Sequence, residues 1–164
     1  MAYDPERHHR HSMRLRGFDY TRAGAYFVTS CTHQRVRLFG EVRQGAMCLS
    51  EAGKIVEWCW HDLPNHYANI RLDAFVVMPD HIHGIILLDG TVVVGPRGGV
   101  HGLSEIIRAF KSFSARRINE CCDTPGIAVW QRSYHDRIVR NDGGIHAIRH
   151  YIAANPGCWN KTRP

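Results

Sequence analysis

The sequence predicts an α+β fold built on a four-stranded antiparallel sheet. Three observations carry the prediction. Four segments rich in β-branched and aromatic residues are spread along the 164 residues. Stretches of helical apolar spacing separate the first from the second and the third from the fourth, and one more follows the last. The second and third extended runs abut across Met78, Pro79 and Asp80 in "VVMPDHIHGIILLD", residues 76–89.

Taken in order, residues 1–22 are charged and without a clear period, and residues 1–24 are read as a basic arm that orders on a partner. "AYFVTSCTHQRVRLFG" predicts a strand at about 25–33. "GEVRQGAMCLS" reads as a turn with short extended pieces. Ser50 then caps a helix whose apolar residues are Ala52, Ile55, Val56, Cys59 and Trp60, with Pro64 as its end. Strands follow at 70–79 and 81–89, then a Gly-rich loop in which Val92–Val94 adds a short extended piece. Residues 103–119 form an amphipathic helix, with Leu103, Ile106, Ile107, Phe110, Phe113 and Ile118 mostly on one face. Arg108, Lys111, Arg116 and Arg117 lie largely off that face. After the turn "CCDTPG" comes a fourth strand over 129–141 and a last helix over 142–156, stopped by Pro156. The order is β-α-β-β-α-β-α. Its first six elements form the ferredoxin-like pattern, with two helices on one face, and the last helix is an addition. The same sheet serves RNA-binding modules, so the fold leaves function open.

Composition narrows the classes. The length fits one domain, here residues 25–159, and 44% hydrophobic residues supply a core. No apolar run approaches the ~20 residues of a membrane span, and the N-terminus lacks an apolar signal region. A soluble, cytoplasmic protein is expected, with no membrane partner. The net charge of +6 and pI of about 9.2 fit either a merely basic protein or one with a polyanion partner, most often nucleic acid. The six cysteines form no C-x-x-C pair. Zinc-finger spacing is absent, and free buried thiols are expected.

His81 and His83 are the most informative residues. With 12 histidines, chance alone supplies about one H-x-H, and "HRH" at 9–11 is a second. The pair at 81 and 83 differs in context, because alternate residues of a strand share a face. Both imidazoles can approach one cation while Ile82 points into a core. The plainer reading is a pair of edge histidines satisfied by hydrogen bonds. Two imidazoles do not fill a metal shell, so a third ligand would have to come from elsewhere. Asp80 is read first as a capping residue and second as a hydrogen-bond partner of the pair.

The last helix offers a complement. Tyr151 and Asn155 are four apart and project from one face. A partly buried tyrosine and an asparagine at a helix end before Pro156 are the plainer local reading. His146 and His150, also four apart, offer an independent metal pair, but the plainer reading is a basic exposed face. Phenols ionise near pH ~10, so attack on a phosphodiester would need a divalent cation to favour the phenolate. Such a set makes a covalent phosphotyrosine bond rather than a hydrolysed one. The phosphoester energy is kept, and rejoining needs no ATP.

At this point the stretches "YDPERHHRHSMRLRGFDYTRAGAYFVTSCT", "FVVMPDHIHGIILL", "IIRAFKSFSARRIN", "VWQRSYHDRIVRN" and "IRHYIAANP" resemble the REP-associated tyrosine transposases, relatives of the single-tyrosine HUH transposases of small bacterial insertion sequences. The resemblance spans roughly residues 3–159. It implies a ferredoxin-like domain that cuts and rejoins single-stranded DNA at hairpins of palindromic repeats, with Mg²⁺ or Mn²⁺. The family's H-hydrophobic-H pair falls on His81 and His83, its nucleophile on Tyr151, and the polar residue that completes the metal shell on Asn155. A homodimer is left open.

Phosphate contacts are expected from Arg14 and Arg16 in the arm, from Arg108, Lys111, Arg116 and Arg117 on the helix, and from Arg132, Arg137 and Arg140 around the fourth strand. Tyr134 and His135 could stack on a base, and Tyr134 fits a core equally well. Trp58, Trp60 and Trp130 are read as packing. The rival readings are a non-enzymatic hairpin nucleic-acid-binding protein on the same fold, a metal hydrolase that uses water, and a structural domain whose histidines only pack.

Overall fold

A computed structural model of the chain describes residues 17–91 and 101–159. Strand β1 (Gly24–Cys31) is followed by a hairpin of β2 (Gly40–Arg43) and β3 (Ala46–Leu49). Gln44 and Gly45 both take positive φ at its tip, the backbone a two-residue hairpin turn needs. Helices α1 (Glu51–His61) and α2 (Leu63–His66) lead into β4 (Ile70–Met78) and β5 (His81–Leu88). Helix α3 (Leu103–Cys121), strand β6 (His135–Val139) and helix α4 (Asp142–Cys158) complete the order.

The sheet runs β4-β5-β1-β6, with every neighbour antiparallel. This is the ferredoxin-like arrangement the sequence predicts, with β2–β3 inserted and α4 appended. β5 is central, and its residues "HIHGIILL" are buried on both faces except for Leu87, which is half-buried. On one face Tyr26, Val28, Ile82 and Ile86 join α1 and α3 in the larger core, around a fully buried Trp60. Gly84 is required there, since a Cβ would run into the Trp60 ring. On the other face Ala25 and Ile85 meet Ile148 and Ile152 of α4. Each of these buried isoleucines contributes about 2 kcal/mol.

Caps explain two helix starts. The Ser50 hydroxyl accepts the Gly53 N–H at 3.1 Å at the start of α1, and the Asn141 side chain accepts that of Gly144 at 2.8 Å at the start of α4.

Several boundaries differ from the sequence reading. Helix α1 stops at His61, and Pro64 sits in the first turn of α2, where its missing N–H costs nothing. The fourth strand is only five residues long. Before it, Trp130 makes one bridge to Thr32, while the carbonyls of Gln131, Arg132 and Ser133 turn to Lys111 rather than to a strand. Pro156 does not end the last helix, which runs on to Cys158. All six cysteines are free, but only Cys31 and Cys59 are buried. Trp60 and Trp130 do pack, whereas Trp58 is 48% exposed beneath the Arg117 guanidinium. Tyr134 belongs to the core. Val92–Val94 lie outside the described residues. Among the described residues no helix is long and apolar enough to cross a membrane.

Candidate active site

The period of two along β5 puts His81 and His83 on the α4 face and Ile82 in the core behind it. His81 sits across from Cys31 of β1 and Met78 of β4, and His83 across from Thr29 and Val76. Both rings are buried, at 7% and 6% exposure. Their Nε2 atoms stand 3.1 Å apart. Each Nδ1 is engaged on the far side, that of His81 by the Asp80 carboxylate at 2.6 Å and that of His83 by the Thr29 hydroxyl at 2.7 Å. The carboxylate can only accept, so Nδ1 of His81 carries the hydrogen and the lone pair of a neutral ring points at His83. Asp80 is thus a partner of His81 in a two-residue turn, not a helix cap. Its other oxygen meets Arg35 Nε at 3.3 Å.

Helix α4 brings the phenol. Ile148 and Ile152 fix its rotation on the sheet, and Arg149 clasps Asp73 of β4 with two hydrogen bonds of 2.8 and 2.6 Å. Tyr151 then projects at the end of the sheet where the histidines lie. Its hydroxyl is 3.4 Å from His83 Nε2 of the same chain, its ring lies edge-on to Phe27, and half of the residue stays exposed. Phe27 also stacks on His83, at 5.4 Å between ring centres. Beyond Pro156, Trp159 is buried against the His81 ring at 5.8 Å. Trp159 carries no signal in the sequence, since it lies past Pro156, the expected helix end.

The donor set fits a divalent cation. Two adjacent ligands of an octahedral ion, each at ~2.1 Å, stand about 3.0 Å apart, close to the observed Nε2 separation. Asn155 is half-buried one turn after Tyr151 and makes no hydrogen bond to either histidine among the described residues. Nor does any group of three His, Cys, Asp or Glu side chains gather among them, so His146 and His150 form no such centre.

Burial, with His81 and Arg35 adding to it, pushes His83 down to about 3. The ring is therefore neutral at ordinary pH, the form that binds a metal. The unfolded chain takes up a proton near pH ~6.5 that the folded chain refuses until about pH 3. The metal-free protein is thus expected to lose stability as pH falls through that window. Thermal melts in chelator between neutral and mildly acidic pH check this, and His83→Gln should flatten the profile.

The basic residues divide by layer. Arg137 pairs with Phe27 across β1 and β6, which puts it on the histidine face, and it is exposed there beside His135. Arg132 and Arg140 are exposed on either side of β6. Arg108, Arg116 and Arg117 belong to α3, behind the sheet. Arg14 and Arg16 lie outside the described residues. Lys111 is committed elsewhere: its ammonium donates to three carbonyls at 2.5–3.2 Å, and burial pushes its pKa down to about 8. Lys111→Met is expected to cost about 2 kcal/mol by freeing that segment, read as a lowered denaturation midpoint.

Comparison with known proteins agrees with this architecture. A REP-associated tyrosine transposase, solved bound to a REP hairpin, superposes with a TM-score of 0.60 at 20% identity, over 88% of this chain and 72% of that one. A candidate transposase from Deinococcus radiodurans superposes at 0.50, also 20% identical, over 85% and 95% of the two chains. An uncharacterised protein of Haemophilus influenzae is 33% identical over 177 residues, covering 98% of this chain and 96% of its own. Residues 61–155, more than half of the chain and including both histidines and the tyrosine, match the family model for IS200-like transposases. The protein is accordingly a DNA-processing enzyme by class. It belongs to the IS200-like transposase family.

Proposed function

We propose that this transposase is a metal-dependent single-stranded DNA endonuclease and strand transferase that cuts and rejoins hairpin DNA of palindromic repeats through a 5′-phosphotyrosine intermediate. The observation that carries the reading is the Tyr151 hydroxyl 3.4 Å from the Nε2 of His83, which itself faces the Nε2 of His81. His81 and His83 would hold Mg²⁺ or Mn²⁺, with Asn155, one turn of α4 beyond the tyrosine, as a third ligand. When bound, the divalent cation supplies positive charge against the scissile phosphate.

The chain's own residues do the rest. Tyr151 Oη forms the new bond to phosphorus, and the bond from phosphorus to the 3′ oxygen breaks. The phenolic proton leaves to solvent on the exposed side of the ring, and the departing oxygen takes one up to become a 3′-OH. Phe27 and the apolar face of α4 hold the phenol in line. Asp80 and Thr29 fix the two imidazoles. No phosphoester bond is lost in the exchange, so the 3′-OH can reverse it. The hairpin partner is supported by the REP hairpin bound to the structural relative. Arg137, Arg132 and Arg140, with Arg14 and Arg16 of the arm, contact phosphates of the strand entering the histidine face. Arg108, Arg116 and Arg117 serve only DNA that passes around the sheet edge.

The experiment mixes the protein with Mn²⁺ and hairpin DNA carrying single-stranded flanks, then separates the products on a denaturing gel. A label on the 3′ side of the cut should travel with the protein, and a label on the 5′ side should be released on a strand that a polymerase can extend. Cut ends without a protein-bound strand would mean attack by water. Tight binding without cutting in every metal would mean a binding protein.

A further inference from the structure

The sheet topology brings a second group of basic residues to the site, on the segment 33–37, "HQRVR". Strand β1 ends at Cys31, directly across from His81, so the chain that leaves it must pass the histidine end of the sheet. We propose that Arg35 and Arg37 on this loop grip the phosphates flanking the bond that faces Tyr151, and so seat the DNA strand in the site. The proposal rests on the transposase reading above.

Arg35 is only partly used by the protein. Its Nε meets Asp80 at 3.3 Å and its Nη1 donates to the Cys31 sulfur at 2.6 Å. Nη2 has no acceptor among the described residues, and the side chain is 41% exposed. A guanidinium kept solely to neutralise the buried Asp80 would be expected to turn both arms of its fork to the carboxylate, the bidentate geometry that Arg149 makes with Asp73. Here one arm goes to the Cys31 sulfur instead, and the partly exposed guanidinium stands one carboxylate away from His81. Arg37 is exposed and lies over the Trp159 ring, its guanidinium carbon 5.7 Å from the ring centre. That ring in turn packs on His81. Arg37 has no carboxylate partner among the described residues. Both guanidinium groups thus stand by His81, one through Asp80 and one through Trp159.

The backbone shows that the position is imposed. Gln34 and Arg35 take left-handed φ values of 53° and 58° in succession, where a residue other than glycine costs on the order of 1 kcal/mol. The loop is pinned in that form by His33 N–H to the Val129 carbonyl at 2.8 Å and by the Thr32 hydroxyl to the Val36 carbonyl at 2.8 Å. The segment they pin, 33–37, is exposed throughout and buries no apolar side chain; Val36 itself is 56% exposed. The strain keeps two cations at the mouth of the site.

The test is the salt dependence of binding to a fluorescein-labelled oligothymidylate, which offers phosphates and no hairpin. Each phosphate contact on a single strand adds about 0.7 to the slope of log affinity against log salt. Arg37→Ala and Arg35→Ala should each lower the slope by about that amount, and Arg35→Lys should restore it. Lys54→Ala, on α1 behind the sheet, should leave it unchanged. Arg37→Ala leaves Asp80 its partner, so it reads the phosphate grip without disturbing His81. With hairpin DNA and Mn²⁺, Arg37→Ala should slow the covalent band about tenfold at low DNA concentration and much less at saturation. If wild type forms the band and both alanine variants keep its salt slope, the grip is wrong and the transposase reading stands. If the slopes fall but no hairpin gives a band, the grip stands and the transposase reading fails.

Discussion

Tyr151→Phe is expected to erase the protein-bound DNA strand while leaving hairpin binding nearly intact. Phenylalanine keeps the ring that meets Phe27 edge-on and that packs beside His83 at 5.2 Å. It removes one oxygen, the atom proposed to bond phosphorus. Loss of a covalent nucleophile should lower the adduct rate at least ~1,000-fold, below detection on a gel. The lost hydroxyl makes one long contact on a half-exposed residue, so affinity should change by no more than about threefold, or ~0.7 kcal/mol. Filter binding and the denaturing gel, run on the same samples, check both halves. An adduct that persists in Tyr151→Phe would place the nucleophile elsewhere. Cutting that persists without an adduct would point to water.

How much of this was legible beforehand follows from which forces are local. The strands and helices were readable because apolar period is a local property: residues 81–88 alternate between two cores, and Ile148 with Ile152 marks the buried stripe of α4. The shared face of His81 and His83 and the projection of Tyr151 with Asn155 follow from the same local periods, but their pairing as a site came only from the family resemblance. The length of β6 was not, because the carbonyls before it are claimed by Lys111, twenty and more residues earlier in the chain. The end of α4 was misplaced because Pro156 removes only one N–H, while burial of Trp159 against His81 rewards another turn. The α3 arginines could be seen to lie off the apolar stripe, but no helical period says which face of a sheet the helix will cover. Arg35 and Arg37 gave no signal at all. Their place beside His81 comes from β1 pairing with β5, fifty residues on, a fact of topology.

Asp80 should matter to the metal nearly as much as the histidines do. It is fully buried, one residue from His81, and its carboxylate holds the hydrogen of His81 Nδ1 at 2.6 Å. That contact orients the ring and keeps the Nε2 lone pair aimed at the gap it shares with His83. Asp80→Ala removes both the acceptor and the negative charge, and it leaves Arg35 facing the pair without its counter-ion. Loss of such a partner typically weakens metal binding 10–100-fold, and about that loss is expected for Mn²⁺ here. Asp80→Asn keeps an oxygen for Nδ1 but not the charge, so it should fall between the two. The readout needs no DNA: Mn²⁺ titration by calorimetry, with the rise in melting temperature on adding Mn²⁺ as a second measure. At a metal concentration that raises the wild-type midpoint, Asp80→Ala should show little rise, whatever its own starting stability. If Asp80→Ala binds Mn²⁺ as wild type does, the carboxylate serves only the turn between β4 and β5, and the geometry of the two imidazoles must be set by the strand alone.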